Sequence, residues 1–249
     1  MSNDWSADAR TRRRSSGSCG LRWAVISLLI AAPLRAQVGH EPARSPFHDL
    51  ISTQGLSISV GRFAGNRTVA GVGAKPGALI GVRFDTRLSG PMDFWASIAH
   101  IASSRLVVDP TDTVIRVTGP VDLSLIAADV GLALNLTGGK TWHHLAPFVG
   151  IGLGILTPSK SVTDPGGYSA ATNFSFVPTV GSRIFLGRRL AVRLDARDYY
   201  FRYEWPLSYY GGVTSDGNPI PAVLSASTST RQWTHNFTLS AGLTYTFTF

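Results

Sequence analysis

Eight charged side chains are placed where strand geometry could bring them together: Arg83, Asp85 and Arg87, then Asp129, Arg183, and the group Arg193, Asp195 and Arg197. A spacing of two residues puts the members of a group on one face of an extended strand. Alternating charge in that pattern fits two kinds of chemistry. One is an internal ion-pair network, where buried charges are tolerated because they are paired and hydrogen-bonded. The other is a polar conduit for small ions. The histidines offer less. His235 is followed on its own face by Phe237, and His100 by Ala102. His143 and His144 are adjacent, hence on opposite faces or in a turn, and have no carboxylate or cysteine at metal-ligand spacing. No catalytic residue, cofactor or metal is expected, and the chain reads as a non-enzyme.

The elements that position these charges are strands. Leu56, Ile58 and Val60 alternate with Ser57, Ser59 and Gly61. Ala78, Ile80, Val82, Phe84, Thr86 and Leu88 alternate with the Arg83–Arg87 group, and a third strand runs from 92 to 102 with Phe94, Ala96 and Ile98 on its apolar side. A fourth reaches Leu136 with Asp129 on its polar face. The fifth opposes Pro147, Val149, Ile151, Leu153 and Ile155 to Phe148 and three glycines. A sixth covers about 174–186 and a seventh 190–203. The last, Phe237 to Phe249, alternates apolar residues with Thr, Ser and Gly to the end of the sequence. Period-two alternation is the mark of a strand with two unlike faces. Pro178 interrupts the sixth strand and predicts a bulge or a later start there.

Short turns and long polar connections alternate strictly. Ser89-Gly90-Pro91, Thr137-Gly138-Gly139-Lys140 and Gly187-Arg188-Arg189 are turn sequences, while 64–76, 103–120, 157–173 and 204–232 are long. Arg105 to Val117 reads as a hairpin that prolongs strands three and four. Exposed loops on a rigid scaffold commonly carry binding, and Tyr209-Tyr210 in the longest is a candidate ligand contact.

The pattern predicts an all-β fold: an eight-stranded antiparallel up-and-down transmembrane β-barrel over residues 54–249. A soluble barrel would put the apolar face inward. Three features favour the inverted arrangement. The polar faces are mostly Gly, Ser and Thr with charges of both signs, which suits a narrow lumen. The strands exceed the roughly 9–11 residues a tilted span needs. Trp95, Trp142, Trp205 and Trp233 fall at strand ends or in turns, as interfacial girdles do.

Residues 1–36 read as a cleaved signal peptide: arginines, a short apolar run from Trp23 to Ala32, and a small residue at Ala36. Residues 37–53 form a short periplasmic segment. Six arginines against two aspartates place +4 of the formal +8 in the signal, so the high overall charge is no pointer to nucleic acid. The single cysteine, Cys19, leaves with the signal, so no disulfide is expected.

The segments Pro147-Phe-Val-Gly-Ile-Gly-Leu-Gly-Ile155 and Arg193-Leu-Asp-Ala-Arg-Asp-Tyr-Tyr200, with the strand ending on Phe249, resemble the small eight-stranded outer-membrane barrels of the OmpA/OmpX type. The resemblance implies a monomer in the bacterial outer membrane, in contact with membrane lipid and lipopolysaccharide. It also implies an assembly signal, Tyr245, Phe247 and Phe249, read by the barrel-assembly machinery. No appended peptidoglycan-binding domain is expected. The implied role is structural or an interaction through surface loops. The alternative is a narrow channel or binder for small solutes or ions. A lipid A-modifying enzyme is a more distant third, because the deacylase type needs a His-x-Ser pair that His235 and Phe237 do not make.

Overall fold

A computed structural model describes residues 45–248, apart from 51, 113, 214 and 215. The expected signal peptide, the segment up to residue 44 and Phe249 lie outside the described residues. Eight long strands follow in order: β1 (Gln54–Phe63), β2 (Gly77–Ser89), β3 (Met92–Val108), β4 (Val117–Asn135), β5 (Leu145–Lys160), β6 (Asn173–Phe185), β7 (Leu190–Glu204) and β8 (Arg231–Phe247). Each pairs antiparallel with the next. β8 also pairs with β1, from Thr238 opposite Phe63 to Phe247 opposite Gln54, and this closes the ring. The fold is an eight-stranded antiparallel barrel, and closure leaves no free sheet edge.

Alternation settles which side chains point outward. Ile58, Val60, Ile80, Ile151 and Leu239 are all more than half exposed, whereas Ser57, Arg83, Asp129, Thr179 and Thr244 are buried. The apolar face is therefore outside and the charged face inside. The strand bounds follow the sequence reading closely, including the β3–β4 hairpin, whose pairing continues to Val108 opposite Val117.

Three expectations need correction. Pro178 produces neither a bulge nor a late start. β6 runs through it in register, opposite Ile151 on β5, and on the β7 side the ladder is interrupted in mid-strand between Phe176–Tyr200 and Thr179–Arg197. The proline cannot donate, so the ladder drops a rung without shifting. Two of the four tryptophans are not girdle residues either. Trp95 is fully buried in the lumen and Trp205 is 5% exposed at the long-loop end. Trp95 lies between outward Phe94 and Ala96, so strand parity alone sends it inward. Its indole fits because Gly131 and Gly152 face it: a Cβ at either would come within 2.6 Å of the ring.

The third correction concerns the lumen itself, which is not polar throughout. Its half nearer the long loops is filled by Phe63, Ile101, Leu125, Leu156, Val177 and Phe201. Val72 and Ala74 from the β1–β2 loop, Tyr168 from the β5–β6 loop, and Tyr209 and Leu224 from the β7–β8 loop fold in over them. The long loops thus cap the barrel with an apolar plug. Tyr209, a candidate ligand contact by sequence, is buried in this plug and donates its hydroxyl to Asp164 at 2.9 Å. Burial, with the Asp164 carboxylate beside it, holds the Tyr209 phenol well above the usual tyrosine range. Arg105 Nη2 meets the other oxygen of Asp164 at 2.5 Å, and both side chains are wholly shielded from solvent.

At the short-turn end, Phe47–Asp49 pairs with Lys140–Trp142 as a small ribbon. His143 and His144, with φ of 46° and 66°, form the tight turn between Trp142 and Leu145. Two consecutive left-handed residues are what a two-residue hairpin turn requires, and Asn or Gly more often supply them.

Candidate functional site: the charged lumen and an outward histidine

All eight charged residues singled out by spacing line the lumen, in its half nearer the short turns. Six form one continuous chain of contacts. Arg83 grips Asp85 with Nε at 2.9 Å and Nη2 at 2.8 Å, and Arg193 Nη1 reaches the other oxygen of Asp85 at 3.0 Å. Arg193 Nε bonds Asp195 at 2.8 Å, and Arg197 Nη2 stands 3.5 Å from the same carboxylate. Arg197 Nη1 then reaches Asp129 at 3.2 Å. Residues i and i+2 on one strand share a face, so each Arg-x-Asp pair meets directly, and the pairs link across the lumen.

Neutral groups complete the network. Asp129 also accepts from Ser97 at 2.7 Å and from Tyr199 at 3.0 Å. The guanidiniums lie over aromatic faces: Arg83 is 4.4 Å from the Trp95 ring centre, and Arg193 is 4.4 Å from that of Phe148. Such stacking lets a cation shed water with some compensation.

The other two, Arg87 and Arg183, meet each other at a residue that sequence reasoning missed. Asp93 accepts from Arg183 Nη2 at 2.9 Å and lies 4.0 Å from Arg87 Nε. Asn135 bonds both Asp93 and Arg183. Asp93 and Trp95 share parity on β3, so the signal was available. The mixed composition of that strand's two faces hid it.

A second polar constellation lies on the outside wall. Asp198 has the parity of Leu194 and Ala196 and so points outward, yet its side chain is 11% exposed. His235 Nδ1 is 2.5 Å from one oxygen of Asp198, and the Asn236 amide donates to the other at 2.9 Å. Asp198 stands opposite Pro178, where the β6–β7 rung is absent. The His235 ring packs beside Tyr200, with Trp233 stacked on Tyr200 and Phe237 below. A carboxylate holding one imidazole nitrogen frees the other to act as a base. Its ring neighbours on that face are Tyr200 and Phe237, and among the described residues no serine, threonine or cysteine hydrogen-bonds to the imidazole. Among the described residues, no cluster of three His, Cys, Asp or Glu could hold a metal.

No family model and no curated relative matches the chain. Solved structures do. Neisserial surface protein A is 13% identical, with a TM-score of 0.49 over 82% of this chain and 98% of that one. OprG from Pseudomonas aeruginosa is 10% identical, with a TM-score of 0.48 over 82% and 100%. Ail of Yersinia pestis, solved with the heparin analogue sucrose octasulfate, is 12% identical at 0.38 over 78% and 99%. All three are small outer-membrane β-barrels. The likeness is one of fold. At these scores it adds nothing to what the closed ring of eight paired strands already establishes.

Proposed function

We propose that this chain is an integral outer-membrane barrel with a sealed lumen, acting structurally and through the loops and rim at its long-loop end. The observation that carries this reading is the filling of the barrel: a paired charge network in one half and an apolar plug of inward-folded loops in the other. An apolar exterior over an ionic interior suits a barrel in lipid, and the long loops would face outward with the short turns in the periplasm. Membrane lipid and lipopolysaccharide are its proposed surroundings, and the proposed working form is a monomer. The eight lumen charges are then structural, a scaffold that fixes the barrel from within.

The test has two parts. Unboiled membrane fractions run on an SDS gel should show a band that shifts on heating. Purified protein in planar bilayers should give no stable unitary conductance. Reproducible steps would replace the sealed barrel with a narrow channel.

Assembly supplies a further prediction. β8 closes the ring against β1, with Tyr245 opposite Leu56 and Phe247 opposite Gln54. Tyr245, Phe247 and Phe249 are proposed as the signal read by the assembly machinery. Deleting Phe249 should lower the amount of heat-shifting barrel in cells several-fold, and an unchanged yield would remove that role.

One observation favours a second reading, a binder of small solutes at the rim. A cleft of about 450 Å³ lies outside the plug, bordered by Asn173, Phe174, Arg202, Glu204 and Trp233. Lipid A modification remains the third reading. Release of acyl chains from lipid A that disappears in His235→Ala would establish it, although His235 and Phe237 make no His-x-Ser pair.

A further inference from the structure

A cleft of about 730 Å³ opens at the short-turn end of the barrel, bordered by Arg188, Arg189, His48, His144, Tyr245 and Phe247 among others. It reaches from the small ribbon to the outer wall, where Tyr245 points outward. We propose that this cleft holds the phosphate of an anionic glycerophospholipid from the leaflet on the short-turn side, anchored by Arg188 and Arg189. The proposal rests on the outer-membrane reading, which puts that end at a lipid surface.

The β6–β7 turn is fixed where it carries the two arginines. The Leu186 amide donates to the Leu190 carbonyl at 2.9 Å and closes it. Thr246 on β8 pins it twice more, its amide to the Arg189 carbonyl at 2.8 Å and its hydroxyl to the Arg188 carbonyl at 3.4 Å. Arg189 Nη1 donates to the Tyr245 hydroxyl at 3.2 Å, which draws that guanidinium to the edge of the lipid-facing wall. The Arg188 guanidinium has no hydrogen-bond or ion-pair partner among the described residues, and both side chains are exposed. Neighbouring guanidiniums offer N–H forks that match the oxygens of a phosphate.

Charge selects an anion. Among the described residues the only carboxylate bordering the cleft is Asp49, which pairs with Lys140 at 3.7 Å. Leu50, Ser52, Phe185 and Thr246 border both the cleft and the mouth of the lumen behind it. There Arg87 and Arg183 share Asp93, while Asp85 is already held by Arg83 and Arg193. Nothing in that mouth is left to neutralise Arg188 and Arg189. A basic pocket at a membrane surface is a site for lipid head groups.

The surroundings select a lipid over a soluble anion. Leu190 stands opposite Tyr245, and Leu186, Leu190 and Leu243 are all exposed on the wall beside the cleft. An occupant with a phosphate head and acyl chains satisfies the arginines and this apolar wall together. A free phosphate satisfies only the arginines. A choline or ethanolamine head group would bring a further cation to a site already rich in them.

Phosphatidylglycerol is the probe, added to the barrel in neutral detergent, with bound lipid counted by native mass spectrometry. One molecule should bind saturably, and phosphatidylcholine with the same chains should bind several-fold more weakly. Arg188→Gln/Arg189→Gln should weaken phosphatidylglycerol about tenfold. Arg202→Gln/Arg231→Gln removes the same charge at the long-loop end and should leave binding unchanged. Equal losses in the two double variants, or equal binding of the two lipids, would overturn the site. Full displacement of the lipid by inorganic phosphate would reassign the cleft to a soluble anion and overturn the lipid as its occupant. Each preparation is also run unboiled on an SDS gel. A missing heat shift defeats the barrel reading itself, whereas a heat-shifting barrel that shows no preference for phosphatidylglycerol defeats this proposal alone.

Discussion

Asp85→Ala is expected to destabilise the barrel by about 3–5 kcal/mol, the cost of breaking a buried charge pair on one side only. Asp85 is 4% exposed and is gripped by Arg83 from its own strand and by Arg193 from across the lumen. Alanine would leave both guanidiniums facing each other in a space that bulk water does not reach. The check is urea unfolding in detergent micelles, followed by the heat-dependent gel shift. Asp122→Ala is the control. That carboxylate also pairs with a cation, Lys160 at 2.8 Å, but both side chains are largely exposed. Such surface pairs contribute about 0–1 kcal/mol. If the two substitutions cost the same, the lumen network is hydrated and the sealed-barrel reading fails with it.

The second large effect is steric. Gly152→Val would drive a side chain into the Trp95 ring, 2.6 Å from the first added carbon, with the Val130 carbonyl oxygen at 2.8 Å. Overpacking of this kind costs about 1–3 kcal/mol even where the structure can adjust. Trp95 can adjust little, being wholly buried with Arg83 and Arg197 over its ring. Trp95→Ala alone should cost about 3–5 kcal/mol through the space it leaves. The double variant should be more stable than the sum of the two losses implies, because each change relieves the other. Strict additivity in that cycle would mean that the ring does not occupy the space opened by the glycines.

These residues also mark where sequence reading stops. The strands, their faces and the alternation of short and long connections were legible, because a period of two survives whatever the strand packs against. The charged residues were legible for the same reason: Arg83 and Asp85, two apart, had to share a face. Composition misled at Trp95, where a tryptophan near a strand end suggested a girdle although parity pointed inward. It misled again over the glycines, which mark not simply a narrow lumen but the room that Trp95 and Phe148 occupy. The apolar plug was illegible for a deeper reason. Whether Val72 or Tyr168 folds into the mouth or out into solvent depends on the shape of the mouth, which no local pattern encodes. The Asp198–His235 pair needed the register of β7 against β8 before its members could be seen to meet.

The missing rung at Pro178 has a mechanical meaning. A closed sheet carries load around its circumference, and a hoop is only as strong as its weakest joint. Among the described residues, the β6–β7 seam is where the ladder breaks in mid-strand. It lies directly beside the seam that Asp198 reinforces through His235 and the Asn236 amide. Strained sideways in a bilayer, the cylinder would part first between β6 and β7, while the longer β7–β8 ladder beside it holds.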